Sequence, residues 1–120
     1  MTELTKAEEQ VMREVWKAGK IFIREIIEQL PDPKPAYNTV GTFLKILENK
    51  GFVLRKKYGN TYEYSPKIPK NRYTAFILKG FMTNYFDGST EQMLSYFVKN
   101  KDLDIKTFEE FSNKLKKKKS

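Results

Sequence analysis

The 120-residue chain sets 23 Lys and Arg against 15 Asp and Glu, a net +8, and contains neither cysteine nor histidine. Disulfides, thiol chemistry and a structural zinc site are thereby excluded, and acid–base catalysis would fall to carboxylates, Lys or Tyr, with no carboxylate pair framed by apolar residues to carry it. The length allows one domain or a small domain with an appendage, and the positive balance favours an anionic partner; a polar N-terminus and the lack of any run near 18 apolar residues point to a soluble, cytoplasmic protein.

Thr5-Lys6-Ala7-Glu8 has the form of a capping box: Thr5 can accept from the Glu8 amide while Glu8 reaches back. Leu4, Ala7, Val11, Val15 and Trp16 then supply an apolar stripe, Lys17 sits in the last turn and Gly19 ends the helix. Ile21-Phe22-Ile23 reads either as a strand of one or two residues or as the start of the next helix. Ile23, Ile26, Ile27 and Leu30 recur at helical spacing until Pro31 stops them, and Pro31, Pro33 and Pro35 stiffen the connection that follows.

The stretch from Lys34 to Gly51 carries the most informative pattern. Val40, Phe43, Leu44 and Leu47 lie along one core-facing stripe. At roughly 100° per residue, Asn38, Thr42, Lys45 and Asn49 fall opposite, with Thr39 and Ile46 on a flank. Gly51 suits the left-handed position after the helix, where Phe52 can fold back on Leu47. A polar outer face is ordinary for a surface helix. Here, however, Gly41 sits inside the helix at a cost of about 1 kcal/mol relative to Ala, and Glu/Lys pairs are sparse. Short amide and hydroxyl side chains reach base edges in a major groove, and Lys serves guanine or phosphate. Two short helices whose second is polar outside make a helix-turn-helix, with a joint longer than the tightest form.

After Gly51, Phe52 and Leu54 alternate with Val53 and Arg55, a Tyr58-Gly59-Asn60 turn follows, and Tyr62 and Tyr64 share one face. These features predict a two-stranded hairpin leaning on the helices. The fold expected is mainly α: a winged helix-turn-helix of three helices plus a two-stranded wing, with a C-terminal helical dimerisation segment. Arg55, Lys56 and Lys57 would stand beside the recognition helix near a phosphate strand; the plainer alternative is that they guard an exposed edge strand.

Domain boundaries are expected at 1–66 for DNA binding and 67–120 for dimerisation. Tyr73, Phe76, Ile77, Gly80, Phe81 and Tyr85 repeat helically, Ser89 and Thr90 cap a helix containing Met93, Leu94, Tyr96, Phe97 and Val98, and Asp104 caps a third. In that third helix Ile105, Phe108, Phe111 and Leu115 are spaced like a helix–helix seam. Residues 67–120 hold nine of the seventeen aromatics, more than some 50 residues can bury alone, so a second copy across a two-fold axis is expected, through Tyr73, Phe76, Ile77 and Phe81 as well as that seam. An effector pocket lined by the same aromatics is the alternative. Residues 1–66 carry 11 basic and 9 acidic side chains, so DNA would be held by local placement rather than bulk charge; Lys116–Lys119 read as a solvated tail.

Leu4-Thr-Lys-Ala-Glu8, Val15-Trp16, Asn38-Thr-Val-Gly-Thr42-Phe-Leu44 through Leu47, Lys50-Gly51, Tyr64-Ser-Pro66 and Phe86-Asp-Gly88-Ser resemble the penicillinase-repressor family (the BlaI/MecI/CopY group) over nearly the whole chain. The resemblance implies an N-terminal winged helix that reads a palindromic operator, a C-terminal helical homodimer, and a membrane metalloprotease sensor that relieves repression through cleavage in the C-terminal segment. The family's copper-responsive cysteines are missing. Its scissile Asn-Phe pair falls on Tyr96-Phe97, its polar residue before the second Thr is Gly41, its helix Arg is Ile46 and its wing Arg is Asn60. Thr39 and Thr42, by the motif, and Asn38, by its face, are expected as base readers, with Lys34, Lys45, Arg55, Lys56, Lys57 and Asn60 on the backbone. No metal, cofactor or enzymatic activity is expected. The alternatives kept are a small-molecule-responsive winged-helix repressor and a winged helix used only for protein–protein contact.

Overall fold

A computed structural model of the chain describes residues 1–100. The elements are α1 (Lys6–Ala18), β1 (Ile21–Phe22), α2 (Ile23–Gln29), α3 (Tyr37–Asn49), β2 (Val53–Tyr58), β3 (Thr61–Pro66), α4 (Lys70–Tyr85) and α5 (Thr90–Lys99). Two compact units divide the chain, the first ending at Tyr73 and the second starting at Thr74. The first is a winged helix. The seam expected at Ile105, Phe108, Phe111 and Leu115 lies outside the described residues.

The capping box forms as its spacing requires. The Glu8 amide donates to Thr5 Oγ1 at 3.2 Å and the Thr5 amide to Glu8 Oε1 at 2.8 Å, satisfying two of the donors that a helix start leaves open. Along α1 the buried residues are Glu8, Val11, Met12 and Val15. Ala7, expected on that stripe, is exposed, and Met12 lies inside in its place. Val40, Leu44 and Leu47 of α3 are fully buried, while Phe43 at the edge of the stripe is only half-buried. The end of α3 is a Schellman motif. The Phe52 amide donates to the Leu47 carbonyl at 2.8 Å and the Gly51 amide to the Glu48 carbonyl at 3.0 Å, with Gly51 at φ 81°, a conformation nearly free only for glycine.

The sheet has three antiparallel strands in the order β1-β3-β2. The two-stranded wing of the sequence reading therefore gains a third strand, as Ile21 and Phe22 pair with Tyr64 and Glu63. Tyr58 and Thr61 pair across a two-residue turn in which Gly59 takes φ 56° and Asn60 does not, the pattern of a type II′ hairpin. The strand phase also differs from the expectation. Phe52 belongs to the helix cap, so the inward face of β2 begins at Val53, and Leu54 is turned out with 52 % of its surface exposed. By alternation Arg55 and Lys57 share Val53's face, opposite Tyr64 and Tyr62, and Lys56 stands on the other.

Tyr73 closes the first unit. Its ring meets Trp16 at 5.6 Å and Phe52 at 5.4 Å between centroids, and its hydroxyl accepts from the buried Leu4 amide at 2.9 Å. Trp16 Nε1 donates to the Ile68 carbonyl at 2.8 Å, fastening the segment before α4. Within the second unit Phe81 stacks near Tyr85 and Phe86, and Phe86 near Tyr96. Ser89 caps α5 by accepting from the Gln92 amide at 3.1 Å. No residue of α5 is buried among the described residues.

Candidate nucleic-acid interface

Asn38, Thr39, Thr42 and Lys45 project from α3 and are exposed. Burial of Val40, Leu44 and Leu47 turns this opposite face outward, because residues of one helix cannot all point inward at 3.6 residues per turn. The Thr42 hydroxyl donates to the Asn38 carbonyl one turn back at 2.9 Å, so its oxygen is left to accept. In that state it complements the exocyclic amino groups of adenine or cytosine. The Asn38, Thr39 and Lys45 side chains make no hydrogen bond among the described residues, and their polar groups face water.

The basic residues take three different positions. Lys34 donates to the carbonyls of Glu28 and Leu30, neutralising the negative end of α2 and fixing the joint into α3. Arg55 is held against the first unit: Nε lies 3.0 Å from Glu48 Oε2, and the guanidinium sits 4.4 Å above the Tyr62 ring. Lys56, Lys57 and Asn60 stand exposed toward the hairpin tip, with Lys56 Nζ 5.3 Å over Tyr58. The cations expected to act together thus divide between a helix cap, a helix–wing brace and a free tip.

The brace borders a cleft of about 230 Å³ between α3 and the sheet, lined by Gly41, Leu44, Lys45, Glu48, Arg55 and Tyr64. Burial pushes the Tyr64 phenol above its ordinary pKa, against the lowering pull of Arg55.

Neither the brace from Glu48, nor the place of Tyr64 on the cleft, nor the pair that joins α1 to α3 shows in the sequence pattern. Lys50 Nζ contacts Glu8 Oε1 at 2.8 Å and Oε2 at 3.0 Å, 42 residues apart. Burial raises the Glu8 pKa, but hydrogen bonds from Lys50 and the Thr5 amide outweigh it and hold the carboxyl below the usual carboxylate range. A Lys immediately before the helix-ending Gly51 was the available signal, although nothing local names its partner.

The expected dimerisation residues divide as well. Tyr73 is 4 % exposed and packs inside the first unit, whereas Phe76, Ile77 and Phe81 are half-buried in the second. Tyr96 and Phe97 lie within α5, Tyr96 exposed and Phe97 half-buried, so the bond between them is helical. No group of acidic residues among those described could hold a metal ion, and no helix among them is long and apolar enough to cross a membrane.

Comparison with known proteins places the chain among its relatives. A family described as penicillinase repressor matches residues 4–117. The penicillinase repressor of Bacillus licheniformis is 28 % identical over 102 residues, covering 84 % of this chain and 80 % of that one. The methicillin resistance regulatory protein MecI of Staphylococcus aureus (strain N315) is 28 % identical over 117 residues, covering 97 % and 95 %. MecI of Mammaliicoccus sciuri is 27 % identical over the same length, with the same coverage.

Proposed function

The chain belongs to the penicillinase repressor family and is a DNA-binding transcriptional repressor rather than an enzyme, and from that premise we propose that it works as a cytoplasmic homodimer on a palindromic operator, one winged helix per half-site. The observation that carries this reading is the uncovered polar face of α3, with Asn38, Thr39, Thr42 and Lys45 exposed beside a wing tip bearing Lys56, Lys57 and Asn60. Asn38, Thr39 and Thr42 read bases; Lys45, Lys56, Lys57 and Asn60 meet phosphates, and Lys34 and Arg55 hold the elements that present them. DNA binding resides in the first unit and pairing in the second.

Pairing is supported by α5, which leaves Leu94 55 % and Val98 68 % exposed one turn apart. An exposed apolar stripe of this kind calls for a partner surface; the sequence seam at Ile105, Phe108, Phe111 and Leu115 lies outside the described residues. Relief of repression runs through a partner metalloprotease sensor that severs the Tyr96–Phe97 bond after α5 unwinds locally, since a protease cleft takes an extended strand.

Footprinting on the DNA upstream of the protein's own coding region tests the operator reading. Two protected patches separated by about one helical turn, or a multiple of roughly 34 Å, are expected. Absence of any salt-sensitive protection would reduce the winged helix to a protein-binding module. Mass spectrometry after induction tests scission: intact chain while transcription rises would replace the protease with a small-molecule effector.

A further inference from the structure

Two features of the cleft between α3 and the sheet have no explanation in the fold of the first unit. The first is Gly41. It sits in the interior of a helix, where glycine costs about 1 kcal/mol relative to alanine. A Cβ built there would meet only Ile23 Cδ1, at 3.9 Å, an ordinary van der Waals distance. Neither backbone conformation nor crowding demands glycine, so what the missing side chain leaves open lies outside the unit.

The second is Tyr64. It is 6 % exposed, it lines the cleft, and its hydroxyl makes no hydrogen bond among the described residues. Every buried side-chain oxygen or nitrogen among the described residues has a partner, so this unbonded hydroxyl is one that opens to solvent in the cleft. Glu48, also on the lining, has its Oε2 3.0 Å from Arg55 Nε. With that pair neutralised, the charge left on the lining is the Lys45 ammonium. One neutral donor, one cation and an apolar wall from Gly41 and Leu44 match a phosphodiester: an anionic oxygen for the donors, sugar methylenes for the wall.

The geometry points to this cleft as a seat for one backbone phosphate of bound DNA, with Tyr64 and Lys45 donating to it and Gly41 leaving room for the strand to enter. The inference rests on the repressor reading and deepens it: neither Gly41 nor Tyr64 had a role there. The seat lies between the helix that reads bases and the wing, so it fixes how deeply the helix enters the groove.

Full-length wild type, Tyr64→Phe, Gly41→Ala and Lys45→Met are titrated with a random-sequence duplex at several salt concentrations, because a phosphate contact needs no particular sequence. Each variant's thermal midpoint is measured alongside. Tyr64→Phe removes one oxygen that the free protein does not use, so its midpoint holds while affinity falls about five- to tenfold, with the salt slope unchanged because no charge is lost. Gly41→Ala raises the midpoint by a few degrees and yet weakens binding, opposite signs that a merely structural residue would not give. Lys45→Met lowers the slope of log K against log salt by about one.

Wild-type binding with Tyr64→Phe indistinguishable from it overturns the seat alone. Wild-type protein with no salt-dependent binding to any duplex overturns the repressor reading and the seat together. A midpoint raised by inorganic phosphate and lost in Tyr64→Phe, with duplex affinity untouched, assigns the cleft to a soluble anion and also overturns the proposal.

Discussion

At single positions, what the sequence displays depends on how far apart the partners stand. Thr5 and Glu8 are three residues apart, so their reciprocal capping was legible. Glu8 and Lys50 meet only because α1 and α3 pack together, and no periodicity encodes that meeting. Lys50→Met leaves a buried carboxylate short of its strongest donor and is expected to destabilise the protein by about 1–3 kcal/mol in urea denaturation at neutral pH. The pH dependence follows from the direction of the shift. Because the folded pKa of Glu8 lies below its ordinary 4.5, the associated stability is complete above that value and disappears as pH falls through the folded pKa. Acid unfolding curves of Lys50→Met should therefore flatten in that window. Thr42 is the corresponding case for function. Thr42→Ala removes an acceptor aimed outward and should weaken operator binding by about 1–3 kcal/mol while sparing random duplex, as gel shifts with both DNAs would register; equal losses would take Thr42 off the base edges.

Helices announced themselves through the spacing of Val11 and Val15, of Ile23 and Ile26, and of Val40, Leu44 and Leu47, since burial of one face is what makes each of them stable. The wing was harder. Phe52 looked like the first inward residue of a strand but is spent on the cap of α3, and that single reassignment moves every later side chain to the other face of β2. β1, two residues long, has too little length for any period to appear. The cation run was visible, but its division was not, because Arg55 is drawn inward by Glu48 and Tyr62 while Lys56 points away. The two should accordingly fail differently. Lys56→Ala is expected to weaken operator and random DNA alike and to lower the salt slope by about one, measured by fluorescence anisotropy, and an unchanged slope would remove Lys56 from the phosphates.

For the chain as a whole, the near balance of charge over residues 1–66, 11 basic against 9 acidic, makes the placement of cations matter more than their number, and in the proposed dimer the reader would also be doubled. The aromatic excess beyond Pro66 suggests a partner copy, but Tyr73 meets the first unit's own Trp16 and Phe52. Leu94→Glu with Val98→Glu places two charges on the exposed stripe of α5. Sedimentation equilibrium is expected to show a monomer and footprinting a loss of operator occupancy, with the far-ultraviolet dichroism of the chain retained; a dimer unaffected by both charges would move the pairing surface elsewhere. Because Tyr73 seals the winged helix from beyond the wing, a chain stopped at Pro66 forfeits its keystone and should melt early, whereas one stopped after α4 should keep the reader folded. A cut at Tyr96 would then liberate intact but solitary readers, and the operator would be vacated by lost avidity, each half letting go at its own weak affinity, with no unfolding required.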